Sequence, residues 1–157
     1  MQSASATNVK VVKCTTPQEA LTVACGSLHG LFMKTLHAHW NSTGGRFLSI
    51  HEFTEKQYTT VLEELDMVAE HMRSKDLLAP TDPIRLQNLS IFKDDHSDIS
   101  DGIKNCRYLA ECHQSLATCL LSCIEDCLQQ DPETQDLFVE LARENNKKAW
   151  MYKSMSV

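Results

Sequence analysis

The sequence predicts an all-α protein, a four-helix bundle in which a long crossover carrying one short helical turn joins the second helix to the third. Three observations carry that prediction. Apolar residues recur at steps of three and four over stretches of about 25 residues, each about 37 Å long at 1.5 Å per residue. Helix-start signals stand at Thr16-Pro17-Gln18-Glu19 and at Asp131-Pro132. Five Gly and four Pro in 157 residues leave little room for the many turns of a β architecture.

Taken in order, residues 1–15 are polar, hold Lys10 and Lys13 but no acid, and read as a flexible N-terminal tail. The bundle domain is expected over 16–157. Thr16 caps a first helix over about 17–41, with Leu21, Ala24, Leu28 and Leu31 at helical spacing, and Asn41-Ser42-Thr43-Gly44-Gly45 ends it. A second helix starts between Arg46 and Ser49 and reaches about Ser74, with Leu62, Leu65, Ala69 and Met72 as its expected buried stripe. Residues 75–93 form the linker, in which Asp82-Pro83 starts a short turn of helix. The third helix carries an a/d stripe from Ile99 through Ile103, Cys106, Ala110, His113, Ala117, Leu120, Ile124 and Cys127, with Asp94, Asp95 and Asp98 in its first turn. Asp131-Pro132 caps a fourth, carried by Phe138, Leu141, Tyr152 and Met155. The long connection lets the second and third helices run parallel.

Bulk properties narrow the function. The chain is one domain's worth, able to bury roughly 70% of its unfolded surface. A formal net charge of −6 argues against general affinity for nucleic acid or acidic membranes and suits a protein that handles cations. No segment approaches the ~18 apolar residues that span a bilayer, and the first residues lack the apolar stretch of a secretory signal. Seven cysteines, an odd number without small-domain disulfide spacing, read as reduced thiols in a cytoplasm.

The candidate chemistry lies on the first two helices. His39 closes the first, His51 and Glu55 stand four apart at the start of the second, and Asp66 and Glu70 stand four apart further along it. Residues at i and i+4 share a helix face, so each pair can converge on one metal ion, and imidazole with carboxylate suits iron. An Asp–Glu pair at this spacing is also the ordinary make-up of a solvated face. His51-Glu52-Phe53-Thr54-Glu55 lacks the second histidine of a zinc hydrolase, and no Glu-x-x-His stands anywhere in the chain. Spacing alone leaves ligation and solvated surface both open.

Leu36-His37-Ala38-His39-Trp40-Asn41, then Gly44, Phe47, His51-Glu52, Leu65-Asp66-Met67-Val68-Ala69-Glu70 and the late aromatic Trp150 resemble the Dps mini-ferritins, which belong to the ferritin-like superfamily. The resemblance runs over nearly the whole chain after the tail. It implies a homododecameric hollow cage that oxidises Fe(II), preferably with hydrogen peroxide rather than oxygen, and stores the Fe(III) mineral. It also implies a ferroxidase site at a twofold subunit interface, with His39, His51, Glu55, Asp66 and Glu70 as iron ligands. The position of Glu55 more often carries Asp in that family. The extra methylene keeps charge and ligand type while changing reach.

Helix geometry reaches the interface independently. Glu55 and Asp66 are eleven residues apart, about 16 Å along a straight helix, too far to share an iron within one chain. The pairs 51/70 and 55/66 have the same midpoint, between Thr60 and Val61. A twofold axis there sets His51 and Glu55 of one chain opposite the partner's Asp66 and Glu70.

Other residues have two readings each. Trp40 either traps a stray oxidising radical beside the site or packs in the core. His37, on nearly the opposite helix face from His39, reads as a hydrogen-bonded or surface histidine more readily than as a ligand. Glu52 faces either a mineral cavity or solvent. Glu125, Asp126, Asp131, Glu133 and Asp136 gather at the last turn, where the resemblance implies iron-entry pores. Cys112, Cys119, Cys123 and Cys127 share one side of the third helix, as core packing or as thiolates for a soft ion such as Cu(I). Two alternatives therefore stand beside iron storage, a DNA-coating cage and a soft-metal bundle. The sparse tail lysines predict weak or absent DNA binding.

Overall fold

Thr16, Asp82, Asp101 and Asp131 each turn a side-chain oxygen back onto the backbone amide three residues ahead, and a helix follows each. The protein is described by a computed structural model over residues 9–93 and 97–157. Five helices form among the described residues: α1 (Pro17–Asn41), α2 (Phe47–Ser74), α3 (Pro83–Leu89), α4 (Gly102–Cys127) and α5 (Pro132–Met155). α1 packs on α2 and α4 on α5 as two hairpins, α1 also meets α4, and the crossover lays α3 on α1. This is the expected all-α four-helix bundle with an added short helix. No helix among the described residues is long and apolar enough to cross a membrane.

α1 is buried without a break from Ala20 to Leu28 because it is covered on several sides. Its contact with α3 is close enough to demand glycine: a Cβ on Gly26 would sit 2.6 Å from the Leu86 carbonyl oxygen. Gly44, at φ 110°, makes the turn that reverses the chain into α2.

Three local expectations are corrected. The buried stripe of α2 is Ile50, Thr54, Gln57, Val61, Glu64, Val68 and Met72, so of the expected Leu62, Leu65, Ala69 and Met72 only Met72 belongs to it. Leu65 and Ala69 lie on its half-buried flank, and Leu62 stands 47% exposed. α2 carries two apolar stripes, and periodicity could not tell which one faces α1. The third long helix starts at Gly102 rather than at Ile99. Residues 99–101 are held extended where the Thr43 amide donates to the Ser100 carbonyl and the Gly102 amide to that of Thr43, so Asp101 becomes the cap. Asp98 lies in a turn before the helix, and Asp94 and Asp95 fall outside the described residues. Of the tail expected over 1–15, residues 9–14 lie against the bundle. The Lys10 amide donates to the Ile91 carbonyl at 2.7 Å, and Cys14 is buried.

Candidate metal centre at the ends of α1 and α2

The short α1–α2 turn returns the chain so that His39, in the last turn of α1, meets His51, in the first turns of α2. Their rings stack nearly parallel with centroids 3.9 Å apart. His39 Nδ1 lies 2.8 Å from the His51 carbonyl oxygen, and His51 Nδ1 lies 2.9 Å from that of His39. A carbonyl only accepts, so both Nδ1 atoms carry a proton, and in the neutral rings the lone pair falls on Nε2, the form in which imidazole ligates a metal. The Thr54 hydroxyl, 3.2 Å from His39 Nδ1, is a second acceptor, itself anchored by donating to the Ile50 carbonyl. Tyr58 packs edge-on to His39, and Phe47 lies against His51.

Glu55 sits one turn beyond His51 and is exposed, as are Asp66 and Glu70. At 3.6 residues per turn, His51, Glu55, Leu62, Asp66 and Glu70 follow one stripe, centred about 140° round the helix from the buried one, with half-buried His51 on the edge nearer the bundle. The structure thus joins His39 to His51 with Glu55 alongside, and leaves Asp66 and Glu70 further down the same outward face. Among the described residues no three His, Cys, Asp or Glu side chains of one chain are grouped to hold a metal ion.

The bundle interior is already occupied. The buried Glu64 carboxylate accepts from Lys148 Nζ, and Asn145 links it to His113, which donates from Nδ1 to Asn145 Oδ1 at 2.7 Å. Burial pushes the Glu64 carboxyl up against the downward pull of Lys148, and it pushes His113 down to about 3. The cationic partner of this inner carboxylate is an ammonium, so no ligand set stands open there. Sequence reasoning missed this cluster, because its members come from three helices and none belongs to a motif. It gave no role to Thr54 or Tyr58, and named Phe47 only among the residues that carry the resemblance, because their contacts with the two histidines depend on how α1 packs on α2.

The secondary candidates resolve individually. His37 Nε2 donates to the Ile99 carbonyl at 2.8 Å and its Nδ1 accepts from Asn41 at 3.2 Å, so it is a hydrogen-bonded histidine. Trp40 is 65% exposed, which removes the core-aromatic reading within the single chain. Glu52, Glu125, Asp126 and Asp136 are exposed. Asp131 is engaged in capping α5 and pairs with Lys75 at 3.0 Å, while Glu133 lies 3.8 Å from the same ammonium.

A bundle of four long helices with His39 and His51 stacked at the ends of its first hairpin defines the class. Residues 18–156 match the family described as a ferritin-like domain. The chain belongs to that family, and within it its likeness is to the Dps mini-ferritins. A DNA protection during starvation protein of Agrobacterium fabrum is 26% identical over 140 residues, covering 83% of this chain and 81% of that one. A low temperature-induced protein of Nostoc sp. is 26% identical over 126 residues, covering 79% and 70%. Dps from Staphylococcus aureus superposes with a TM-score of 0.83 at 20% identity, covering 90% of this chain and 95% of that one.

Proposed function

We propose that this chain is a subunit of an iron-storing ferroxidase cage of twelve copies, acting in the cytoplasm. Its substrate Fe(II) is bound between two subunits by His39, His51 and Glu55 of one and the partner's Asp66 and Glu70. The observation that carries the reading is the reciprocal Nδ1–carbonyl lock, which turns two neutral imidazoles into Nε2 donors on the face shared with three carboxylates. A histidine pair buried only for packing would not need both rings held in the ligating tautomer. The exposed Leu62 and Met67 on the outer side of α2 supply apolar surface for the twofold contact.

The chemistry follows from the donor set. Two neutral imidazoles leave Fe(II) its Lewis acidity, and the anionic carboxylates stabilise the charge gained on oxidation to Fe(III). Two Fe(II) ions together supply the two electrons that break the O–O bond of hydrogen peroxide. No hydroxyl radical need escape, which is the protective part of the function. Oxygen is the slower oxidant in this reading.

The test is complementation. His39→Ala/His51→Ala subunits are mixed with Asp66→Ala/Glu70→Ala subunits, reassembled, and given Fe(II) and peroxide under anaerobic conditions. Each parent is expected to be slowed at least about tenfold, and the mixture to recover part of the lost rate because a mixed dimer regains one intact site. No recovery in verified mixed assemblies would exclude the shared site, and peroxide-insensitive Fe(II) in the wild type would exclude the ferroxidase.

A further inference from the structure

Three cysteines meet where the chain enters the bundle, away from the His39–His51 pair. Cys14, on the segment leading into α1, brings its Sγ to 3.5 Å from Cys123 Sγ on α4, across 109 residues of sequence. Cys119 stands one turn before Cys123 and shares a hydrogen bond with it. Both sides of Cys14 are pinned. Behind it the Lys10 amide is paired with Ile91, and ahead of it the Thr15 amide and hydroxyl each donate to Glu19 Oε2 at 2.8 Å.

The three thiols differ in environment. Cys14 and Cys123 are buried, whereas Cys119 is half-buried and lines a groove of about 270 Å³ between residues 9–12 and α4. The hydrogen bond from Cys123 holds the Cys119 thiol below the ordinary range, while the same bond, together with burial, pushes Cys123 up to about 12. Hydrogen bonding to Cys123 and burial raise Cys14 as well. Of the three, Cys119 is the sulfur an incoming oxidant reaches most readily, and the one whose thiolate is favoured.

We propose that Cys14, Cys119 and Cys123 form a peroxide-reactive thiol site whose stable product is a Cys14–Cys123 disulfide fastening residues 9–14 to α4. The Cys119 thiolate attacks hydrogen peroxide, its S–O bond forming as the O–O bond breaks, and hydroxide leaves and takes a proton as water. Cys123 then attacks the Cys119 sulfenic sulfur and a second water leaves, the Cys123 proton joining the departing hydroxide. The Cβ atoms of residues four apart on a helix lie about 5–6 Å apart, beyond the roughly 3.5–4.5 Å of disulfide geometry, so that bond is strained. Cys14, already in contact, attacks Cys123, and Cys119 leaves as a thiolate that recovers the Cys14 proton. Overall two thiols and one peroxide give one disulfide and two waters. No metal takes part, so the site works independently of iron oxidation.

The test uses the full chain, reduced, iron-free and with a chelator present, given about one equivalent of hydrogen peroxide per chain and then an alkylating agent. Peptide mapping is expected to find the Cys14–Cys123 cross-link within single chains, with a mass loss of about 2 Da. Cys119→Ser is expected to slow its formation at least about tenfold, since Cys14 and Cys123 are buried away from the oxidant and only their mutual contact favours the later steps. Cys14→Ser is expected to abolish it and to leave the oxidation on Cys119 or between Cys119 and Cys123. The wild-type map decides even if a variant folds poorly. Complete alkylation of all seven thiols, over-oxidised Cys119 without a cross-link, or cross-links solely between chains would overturn the proposal, as would a Cys119→Ser rate equal to wild type.

Discussion

His39 and His51 hold each other in place, each ring donating from Nδ1 to the other residue's backbone oxygen at 2.8 and 2.9 Å while the two rings stack. Neither donor is an independent unit. Peroxide-driven Fe(II) oxidation is expected to fall about 10–100-fold in His39→Ala and in His51→Ala, the range for losing a metal ligand's support. The double variant is expected to lose less than the product of the two single losses, because each ring loses its stacked neighbour when the other is removed although its backbone acceptor remains. Stopped-flow rates on all four proteins check this, and multiplicative losses would show two separately held ligands.

DNA binding is expected to be weak or absent. The chain carries −6, the proposed cage would multiply that charge, and Lys10, one of its few tail cations, donates to the Asn88 carbonyl at 3.1 Å. A mobility-shift titration with duplex DNA at physiological salt is expected to show no retained complex at concentrations where a lysine-tailed cage binds. A tight shift that weakens steeply with added salt would contradict it.

His113 gives the fold an acid limit. Its pKa is held down at about 3 by burial, with Tyr152 stacked on it and Lys148 adding positive charge, against the upward pull of Asn145, which accepts from it and links it to Glu64. Between the ordinary histidine value of about 6.5 and that depressed value, the unfolded chain binds a proton that the folded chain does not. The contribution is therefore complete above about pH 6.5 and is lost as pH falls through that window. From pH 7 to 4.5 it amounts to about 2–3 kcal/mol. Urea unfolding at fixed protein concentration is expected to show that much less loss in His113→Gln than in wild type. Equal losses would place the acid sensitivity elsewhere.

Glu64 and Lys148 are side-chain partners with only 7% and 5% of their surfaces exposed. Lys148→Met strands a carboxyl in the bundle interior and is expected to cost about 3–5 kcal/mol. Adding Glu64→Leu to it is expected to restore most of that stability, since a well-packed apolar pair replaces an ion pair at little cost. Denaturant midpoints of the three proteins check the cycle, and a double variant as unstable as Lys148→Met alone would refute it.

The long helices were legible in the sequence because local chemistry sets them. Thr16-Pro17, Asp82-Pro83 and Asp131-Pro132 stand at the observed caps, and Leu21, Leu28, Phe138 and Leu141 are buried as their spacing requires. The outward stripe of His51, Glu55, Asp66 and Glu70 was legible for the same reason, since one helix fixes their relative angles. Three features depended on segments distant in sequence, and no local pattern reports them. The choice of Val61 over Leu62 as the buried residue of α2 rests on where α1 lies. The proton positions on His39 and His51 rest on a carbonyl twelve residues away. The meeting of Cys14 with Cys123 rests on the path of a segment whose polar composition resembled a loose tail. Capping and periodicity are properties of neighbours along the chain, so sequence alone determined them. Burial, tautomer and thiol contact are properties of neighbours in space, and only the packed bundle decided them.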